Sequence, residues 1–277
     1  MSTSALQVRG LAKHFGGVRA LDGVDFEVPA GQCVALIGPN GAGKSTCFAC
    51  LAGQHTPTAG QVFWMGQPLV GQSPAARQSL GVARTFQVAQ TFEALTVLQN
   101  IQLVLRGDAS LSWWDRLDRR QPERALHLAT QAGLQALAHH TVADLPYGAK
   151  KRLELAMALA GLPEASADAG AHSAPSLLLL DEPAAGLALA ERADMMALVR
   201  QVASHGVTVL YTEHNMDAVF GVADRVMVLM QGRLVADGTP DQVAQDPQVL
   251  KHYLGLDFKT QAEAGVQTPS SAGDRHA

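Results

Sequence analysis

One stretch restricts this chain more than any other: Gly38-Pro39-Asn40-Gly41-Ala42-Gly43-Lys44-Ser45, which satisfies the spacing GxxxxGK[ST]. It is entered from Cys33–Ile37, a short continuous apolar run of the kind that forms a strand covered on both faces. It opens into an apolar helix at about 44–52. Strand, glycine-rich loop and helix in that order point to an α/β core, a context that a glycine turn with an incidental lysine does not need. The glycines let main-chain N–H groups converge on an anion, and the new helix adds the positive end of its dipole. Gly38, Pro39, Asn40, Gly41, Ala42, Gly43, Lys44, Ser45 and Thr46 are therefore candidate ligands of a polyphosphate. Lys44 is suited to bridge its outer phosphates and the Ser45 hydroxyl to ligate Mg²⁺.

Leu177-Leu178-Leu179-Leu180-Asp181-Glu182 supplies what the loop lacks. Four apolar residues ending in two acids describe a central strand whose C-terminal edge delivers carboxylates to the crevice where α/β sheets bind ligands. Asp181 is expected to hold Mg²⁺ through water, and Glu182 to orient or deprotonate an attacking water. A strand ending in Asp-Glu is commonplace by itself; beside a phosphate loop it becomes a hydrolytic candidate.

The rest of the chain fits one α/β unit with a helical insertion. Val24–Val28 alternates apolar and acidic residues, as a strand with one wet face does, and Pro29, Ala30 and Gly31 turn the chain. Further strands are expected at Val62–Met65, Leu80–Arg84, Leu177–Leu180, Val207–Thr212 and Arg225–Met230. Between 93 and 163 the pattern changes: Thr96–Arg106 and Pro122–Ala138 read as helices with no convincing strand between them. Residues 165–175 and 259–277 are small, polar and aperiodic, and read as loop and tail. The longest apolar run, Leu155–Leu162, falls short of the roughly 18 residues of a membrane span, and no secretory signal is visible at the start, so a cytosolic setting is expected. Of the 277 residues 47% are hydrophobic and 17% charged, which excludes a mainly disordered chain, and the net charge of −4 gives no general footprint for nucleic acid.

The remaining landmarks fall in an order that resembles the ATP-binding cassette (ABC) transporter ATPases across nearly all of residues 5–256. Gln87, in Arg84-Thr85-Phe86-Gln87, matches the glutamine that reports nucleotide to the transmembrane partner. Asp144-Leu145-Pro146-Tyr147-Gly148-Ala149-Lys150-Lys151-Arg152-Leu153-Glu154 occupies the place of the signature motif, with Gly148 just ahead of an expected helix at Ala149–Ala160. His214, in Thr212-Glu213-His214-Asn215, follows a strand as the family's switch histidine does, and Phe15 stands where the family stacks an aromatic on adenine. The resemblance implies a P-loop NTPase core with an N-terminal antiparallel β subdomain and an inserted α-helical subdomain. It further implies a nucleotide-binding domain at 1–258, with the core at about 1–92 and 164–258 and the helical part at about 93–163.

The same resemblance implies ATP and Mg²⁺ as cofactors, with Lys44, Gln87, Glu182 and His214 in catalysis and Ser45, Gln87 and Asp181 at the metal. Phe15 and the phosphate loop would hold one nucleotide, and Tyr147 and Gly148 would cover the nucleotide of a second ATPase in a head-to-tail dimer. Pro146 and Ala149 depart from the usual Leu-Ser-Gly-Gly-Gln, removing a hydroxyl and an amide but leaving the backbone donors. Ala188 stands where an Asp or Asn is common.

Within the family the chain is similar to the LivG-like branch of branched-chain amino acid importers. The similarity rests on Phe15-Gly16-Gly17-Val18-Arg19-Ala20-Leu21, Arg84-Thr85-Phe86-Gln87, the extra segment Gly107–Gln121, Glu182-Pro183-Ala184-Ala185-Gly186-Leu187 and Tyr253-Leu254-Gly255. That branch implies a second ATPase, in a heterodimer or homodimer, two integral membrane permeases, a periplasmic binding protein and a place on the cytoplasmic face of the inner membrane. A lipopolysaccharide-type exporter ATPase and a soluble cassette protein remain open alternatives.

Three patterns point elsewhere and carry less weight. Cys47-Phe48-Ala49-Cys50 is literally CxxC, but its helix is committed to phosphate and a second cysteine pair is lacking, so packing is expected. Trp113–Arg120 interleaves aromatics with arginines, blunted by two aspartates, and reads as a solvated insert; His139-His140 lacks a third ligand at useful spacing for zinc.

Overall fold

A computed structural model describes residues 4–85, 91–105, 117, 120–163 and 175–251. Among the described residues two sheets face one another. The first is antiparallel: β1 (Ser4–Phe15), β2 (Val18–Pro29), β4 (Ala59–Trp64) and β5 (Gln67–Pro68) run in the order β2-β1-β4-β5. In β2 the alternation read from the sequence is realised, with Val24, Phe26 and Val28 buried and Asp25 and Glu27 exposed.

The second sheet takes β3 (Cys33–Ile37), β6 (Val82–Arg84), β7 (Leu177–Asp181), β8 (Thr208–Thr212), β9 (Arg225–Met230) and β10 (Arg233–Gly238) in the order β10-β9-β3-β8-β7-β6. Its pairings are parallel except that of β10 with β9. Parallel sheets are covered on both faces, which is why every residue of β3, β7 and β8 is buried. The helix α1 (Lys44–Leu51) fills the space between the sheets with Cys47, Phe48, Cys50 and Leu51. Cys47 and Cys50 thus pack in the core, where burial raises both thiols, Cys47 well above its ordinary range. On the other face the covering side chains include Leu155, Met195, Met196 and Val199.

A third core joins α3 (Val97–Val104), α4 (Pro122–Gln131) and α5 (Tyr147–Ala160) through Val97, Ile101, Leu128, Val142 and Leu153. Thr96 caps α3 with a reciprocal Gln99 bond, and between 93 and 163 the described residues hold one isolated β-bridge, Thr96 to Thr141.

Several elements differ from their sequence expectation. The helix read over Pro122–Ala138 ends at Gln131, because Gly133 takes φ +68 and the Leu134 N–H turns back to the Ala129 carbonyl. Residues Gln135–Leu137 follow as a 3₁₀ turn. Strand β4 stops before Met65, which turns at φ +49, and β6 begins only at Val82 because Leu80 ends a short helix, α2 (Pro74–Ser79). Strand β8 starts at Thr208 instead of Val207, β7 runs on through Asp181, and α5 starts at Tyr147, so Gly148 lies inside its first turn. Strands β1, β5 and β10 and helices α2, α6 (Leu189–Ser204), Met216–Phe220, Pro240–Ala244 and Pro247–Val249 have no counterpart among the elements expected from the sequence. The expected loop at 165–175 and tail at 259–277 lie outside the described residues apart from Pro175, as do most of Gly107–Gln121 and Tyr253–Gly255.

Sheet order sets the site. Strand β8 lies between β3 and β7, so the turns after Ile37, Thr212 and Asp181 emerge side by side at one edge.

Candidate active site

The loop after β3 depends on glycine at two of its positions. Gly38 has φ +151, and a Cβ there would lie 2.0 Å from the Leu229 carbonyl oxygen. Gly43 has φ +108, and its Cβ would lie 2.4 Å from the Ala20 carbonyl oxygen. Both are backbone obstacles that a flexible side chain cannot relieve. Lys44 begins α1 and is buried, folded back so that Nζ donates to the Gly38 carbonyl at 2.7 Å and the Pro39 carbonyl at 3.1 Å. Desolvation lowers its pKa, against the opposing pull of Glu182 and Asp181. At the other end of α1, the buried Arg77 donates from Nη1 to the Cys50 and Leu51 carbonyls at 2.6 and 2.7 Å, placing a cation at the negative end of the helix dipole.

The acids after β7 have separate surroundings. Asp181 is buried; its Oδ2 accepts from Arg84 Nη2 at 2.8 Å and its Oδ1 from the Thr212 hydroxyl at 2.8 Å. The Asp181 N–H donates to Thr85 Oγ1 at 3.2 Å. Glu182 turns outward at φ +49, and its N–H donates to the Thr212 carbonyl at 3.2 Å and hydroxyl at 3.1 Å. His214 Nε2 lies 2.7 Å from Glu182 Oε1, with the two side chains 41% and 28% exposed and so open to solvent and ligand.

A cavity of about 390 Å³ gathers Asn40, Gly41, Ala42, Gly43, Lys44, Ser45, Thr46, Glu182 and His214 in one place. Val18, Arg19, Ala20 and Gln231 complete its lining. None of the four is expected at the site from the sequence, where Val18, Arg19 and Ala20 count only as part of the segment Phe15–Leu21 that carries the family resemblance. Gly38, Pro39, Asp181 and Phe15 are not among the lining residues. Phe15 is 45% exposed, edge-on to His55 with ring centroids 5.3 Å apart and with Lys13 Nζ 4.9 Å from its ring centre. Tyr147 and Gly148 also lie outside this cavity. Tyr147 is exposed and donates its hydroxyl to the Ala185 carbonyl at 3.3 Å, while a Cβ on Gly148 would meet Glu191 Oε1 at 2.7 Å. Gln87 lies outside the described residues.

The residues present fit an anion and a hard cation. A loop that forbids Cβ atoms at Gly38 and Gly43 brings backbone amides against the cavity beside Lys44. The exposed Ser45 hydroxyl and the Asp181 carboxylate are oxygen donors of the kind Mg²⁺ takes. Asp181, buried, already bound to Arg84 and Thr212 and not itself a lining residue, suits contact through water. Among the described residues no helix is long and apolar enough to cross a membrane.

The ABC transporter family model matches residues 21–185, and the model for branched-chain amino acid ATP-binding cassette transporters matches residues 233–259. The chain is 37% identical over 265 residues to the high-affinity branched-chain amino acid transport ATP-binding protein BraF of Pseudomonas aeruginosa, covering 92% of this chain and 99% of that protein. It is 36% identical, with the same coverage, to LivG of Escherichia coli. Among solved structures, an ATP-binding cassette of an ABC transporter in its ADP conformation aligns with a TM-score of 0.78 and 29% identity, over 91% of this chain and 99% of that one.

Proposed function

Because this chain belongs to the ABC transporter family of ATP-binding proteins, we propose that it is the ATP-hydrolysing subunit of a bacterial importer of branched-chain or other hydrophobic amino acids. The observation that carries the reading is the single cavity in which the phosphate loop, Lys44, Glu182 and His214 meet. Full-length similarity to BraF and LivG supports import over export.

Hydrolysis follows from the geometry of this chain's own groups. The loop amides and the α1 N-terminus bind the triphosphate, and Lys44 exchanges its Gly38 and Pro39 carbonyls for phosphate oxygens. Phe15 stacks on the adenine. Ser45, Gln87 and, through water, Asp181 would hold Mg²⁺, which would supply neutralisation of the phosphate charge. Glu182 orients the attacking water and accepts its proton, and His214, fixed against Glu182, holds the γ-phosphate side.

The partners proposed are a second ATPase, two integral permeases and, indirectly, a periplasmic binding protein, with this chain on the cytoplasmic face of the inner membrane. Tyr147 and Gly148, outside this chain's own cavity, are assigned to the nucleotide of the second ATPase. The helical part at about 93–163 and the core at about 1–92 and 164–258 are the moving pieces. A second cavity of about 530 Å³, lined by Val82, Ala83, Leu103, Val104 and Met157, is assigned to a permease segment. Arg84 and Thr85 reach from that lining to Asp181, joining the docking surface to the hydrolytic strand.

The test is uptake of labelled leucine, isoleucine and valine by cells with and without this chain. Loss of uptake, restored by the chain and not by a Lys44→Ala variant, is expected. Undiminished uptake of all three would refute the assignment of substrate class.

A further inference from the structure

Glu213 takes no part in the proposed hydrolysis, yet it is buried to 4% exposure beside the cavity. Both of its oxygens are engaged by main chain. Oε1 accepts from the Ala184 N–H at 2.8 Å and Oε2 from the His214 N–H at 3.3 Å. Burial raises its pKa, and the same two amides work against the rise. Two N–H donors require a lone pair on each oxygen, which the carboxylate provides.

Those two amides belong to the turns that carry the reacting side chains. Ala184 lies two residues after Glu182, whose φ of +49 is a conformation that residues with a Cβ hold only where their surroundings enforce it. The enforcement is visible: Thr212 takes the Glu182 N–H with its carbonyl and hydroxyl, and Glu213, the next residue, takes the Ala184 N–H. The same carboxylate then reaches the N–H of His214.

We propose that Glu213 is a positioning residue of hydrolysis: by tying the Ala184 and His214 amides to one carboxylate, it holds Glu182 and His214 at their 2.7 Å separation. This rests on the reading of Glu182 and His214 as the hydrolytic pair. A glutamine at 213 is nearly isosteric; it keeps an oxygen for Ala184 and turns an NH₂ group toward the His214 N–H, releasing that side alone. Alanine releases both.

The test uses the full chain with its partner ATPase, in wild type, Glu213→Gln and Glu213→Ala, measured two ways. Steady-state hydrolysis is expected to show kcat reduced roughly tenfold in Glu213→Gln with KM for ATP within about twofold, and a larger loss in Glu213→Ala. The His214 ring resonance, recorded without nucleotide on isotope-labelled protein and assigned by its loss in His214→Gln, is expected to move in Glu213→Gln toward its position in Glu182→Gln. An unmoved resonance in Glu213→Gln, or a raised KM with unchanged kcat, overturns the proposal. Glu213→Gln decides the matter even where Glu213→Ala fails to fold. If wild type does not hydrolyse ATP, the functional reading fails, whereas the resonance still reports whether Glu213 holds the pair.

Discussion

His214 Nε2 stands 2.7 Å from Glu182 Oε1, so the turn after β8 and the turn after β7 meet through two side chains at the rim of the phosphate cavity. The contact spans neighbouring strands and gives the acid that faces water a fixed orientation. Replacing His214 by Ala is expected to lower kcat for ATP about 10²-fold or more, in the range of a lost acid–base or charge-stabilising group, with ATP affinity changed only a few-fold. Comparing the binding constant of a fluorescent ATP analogue with the hydrolysis rate checks this; an equal loss in both would assign His214 to binding instead.

The three positive-φ glycines of the loop are not equivalent. Gly38→Ala and Gly43→Ala drive a Cβ into the Leu229 and Ala20 carbonyls, whereas a Cβ on Gly41, at φ +79, meets nothing within 4 Å. Gly41→Ala is expected to cost about 1–2 kcal/mol, the strain of a left-handed alanine. The other two should cost about 3 kcal/mol or more and weaken ATP binding at least roughly tenfold, because the backbone itself must move. Denaturant unfolding and ATP titration of the three variants give the ranking directly.

Arg84 and Asp181 form an ion pair whose side chains are 9% and 1% exposed. Removing one member strands the other charge in the interior, so Arg84→Met is expected to destabilise the protein by about 3 kcal/mol. Urea unfolding measures it. A change under about 0.5 kcal/mol would mean that the Thr212 hydroxyl satisfies Asp181 unaided.

Glu154 sets the sign of a pH effect. Burial raises its carboxyl above the ordinary 4.5, outweighing the attraction of Lys151 at 3.1 Å. A native pKa above the unfolded one means the folded state holds the proton more tightly. Its contribution is therefore fully present below pH 4.5 and lost as pH rises through the native value. Glu154→Gln should accordingly gain stability relative to wild type at pH 7, and the gain should shrink as pH falls toward 4.5. Melting temperatures of both proteins from pH 4 to pH 8, about the span in which a raised carboxyl titrates, test it; a gain that grows on acidification would contradict it.

The parts of the molecule legible in the sequence are those whose surroundings are uniform. Strands β3 and β7 are buried on both faces and read as unbroken apolar runs, and the phosphate loop is a local pattern of glycines and a lysine. Strand β1 has no alternating pattern because adjacent residues Ala5 and Leu6 are both buried, Gly10 turns at φ +57 and its register shifts repeatedly, which erases the period of two. Helix α6 buries Met195, Met196, Val199 and Ala203 among small and charged neighbours, a narrow stripe. The helix from Pro122 is shorter than its apolar pattern because Gly133 ends it while apolar residues continue beyond. In the site, Lys44, Ser45, Asp181 and Glu182 announce themselves locally. The contacts of Arg84 with Asp181, of Thr212 with both acids and of Glu213 with Ala184 arise only when β6, β7 and β8 lie side by side, and no spacing along the chain encodes them.

The central claim is that this cavity binds ATP and that Glu182 hydrolyses it. It is tested most directly by giving radiolabelled ATP and Mg²⁺ to the chain with its partner ATPase, in wild type and in Glu182→Gln, and counting both bound nucleotide and released phosphate. The expected result is phosphate release by wild type, and in Glu182→Gln nucleotide retained on a stable dimer with release reduced about 10²-fold or more. Equal release from the two proteins, or no nucleotide bound to either, would contradict it.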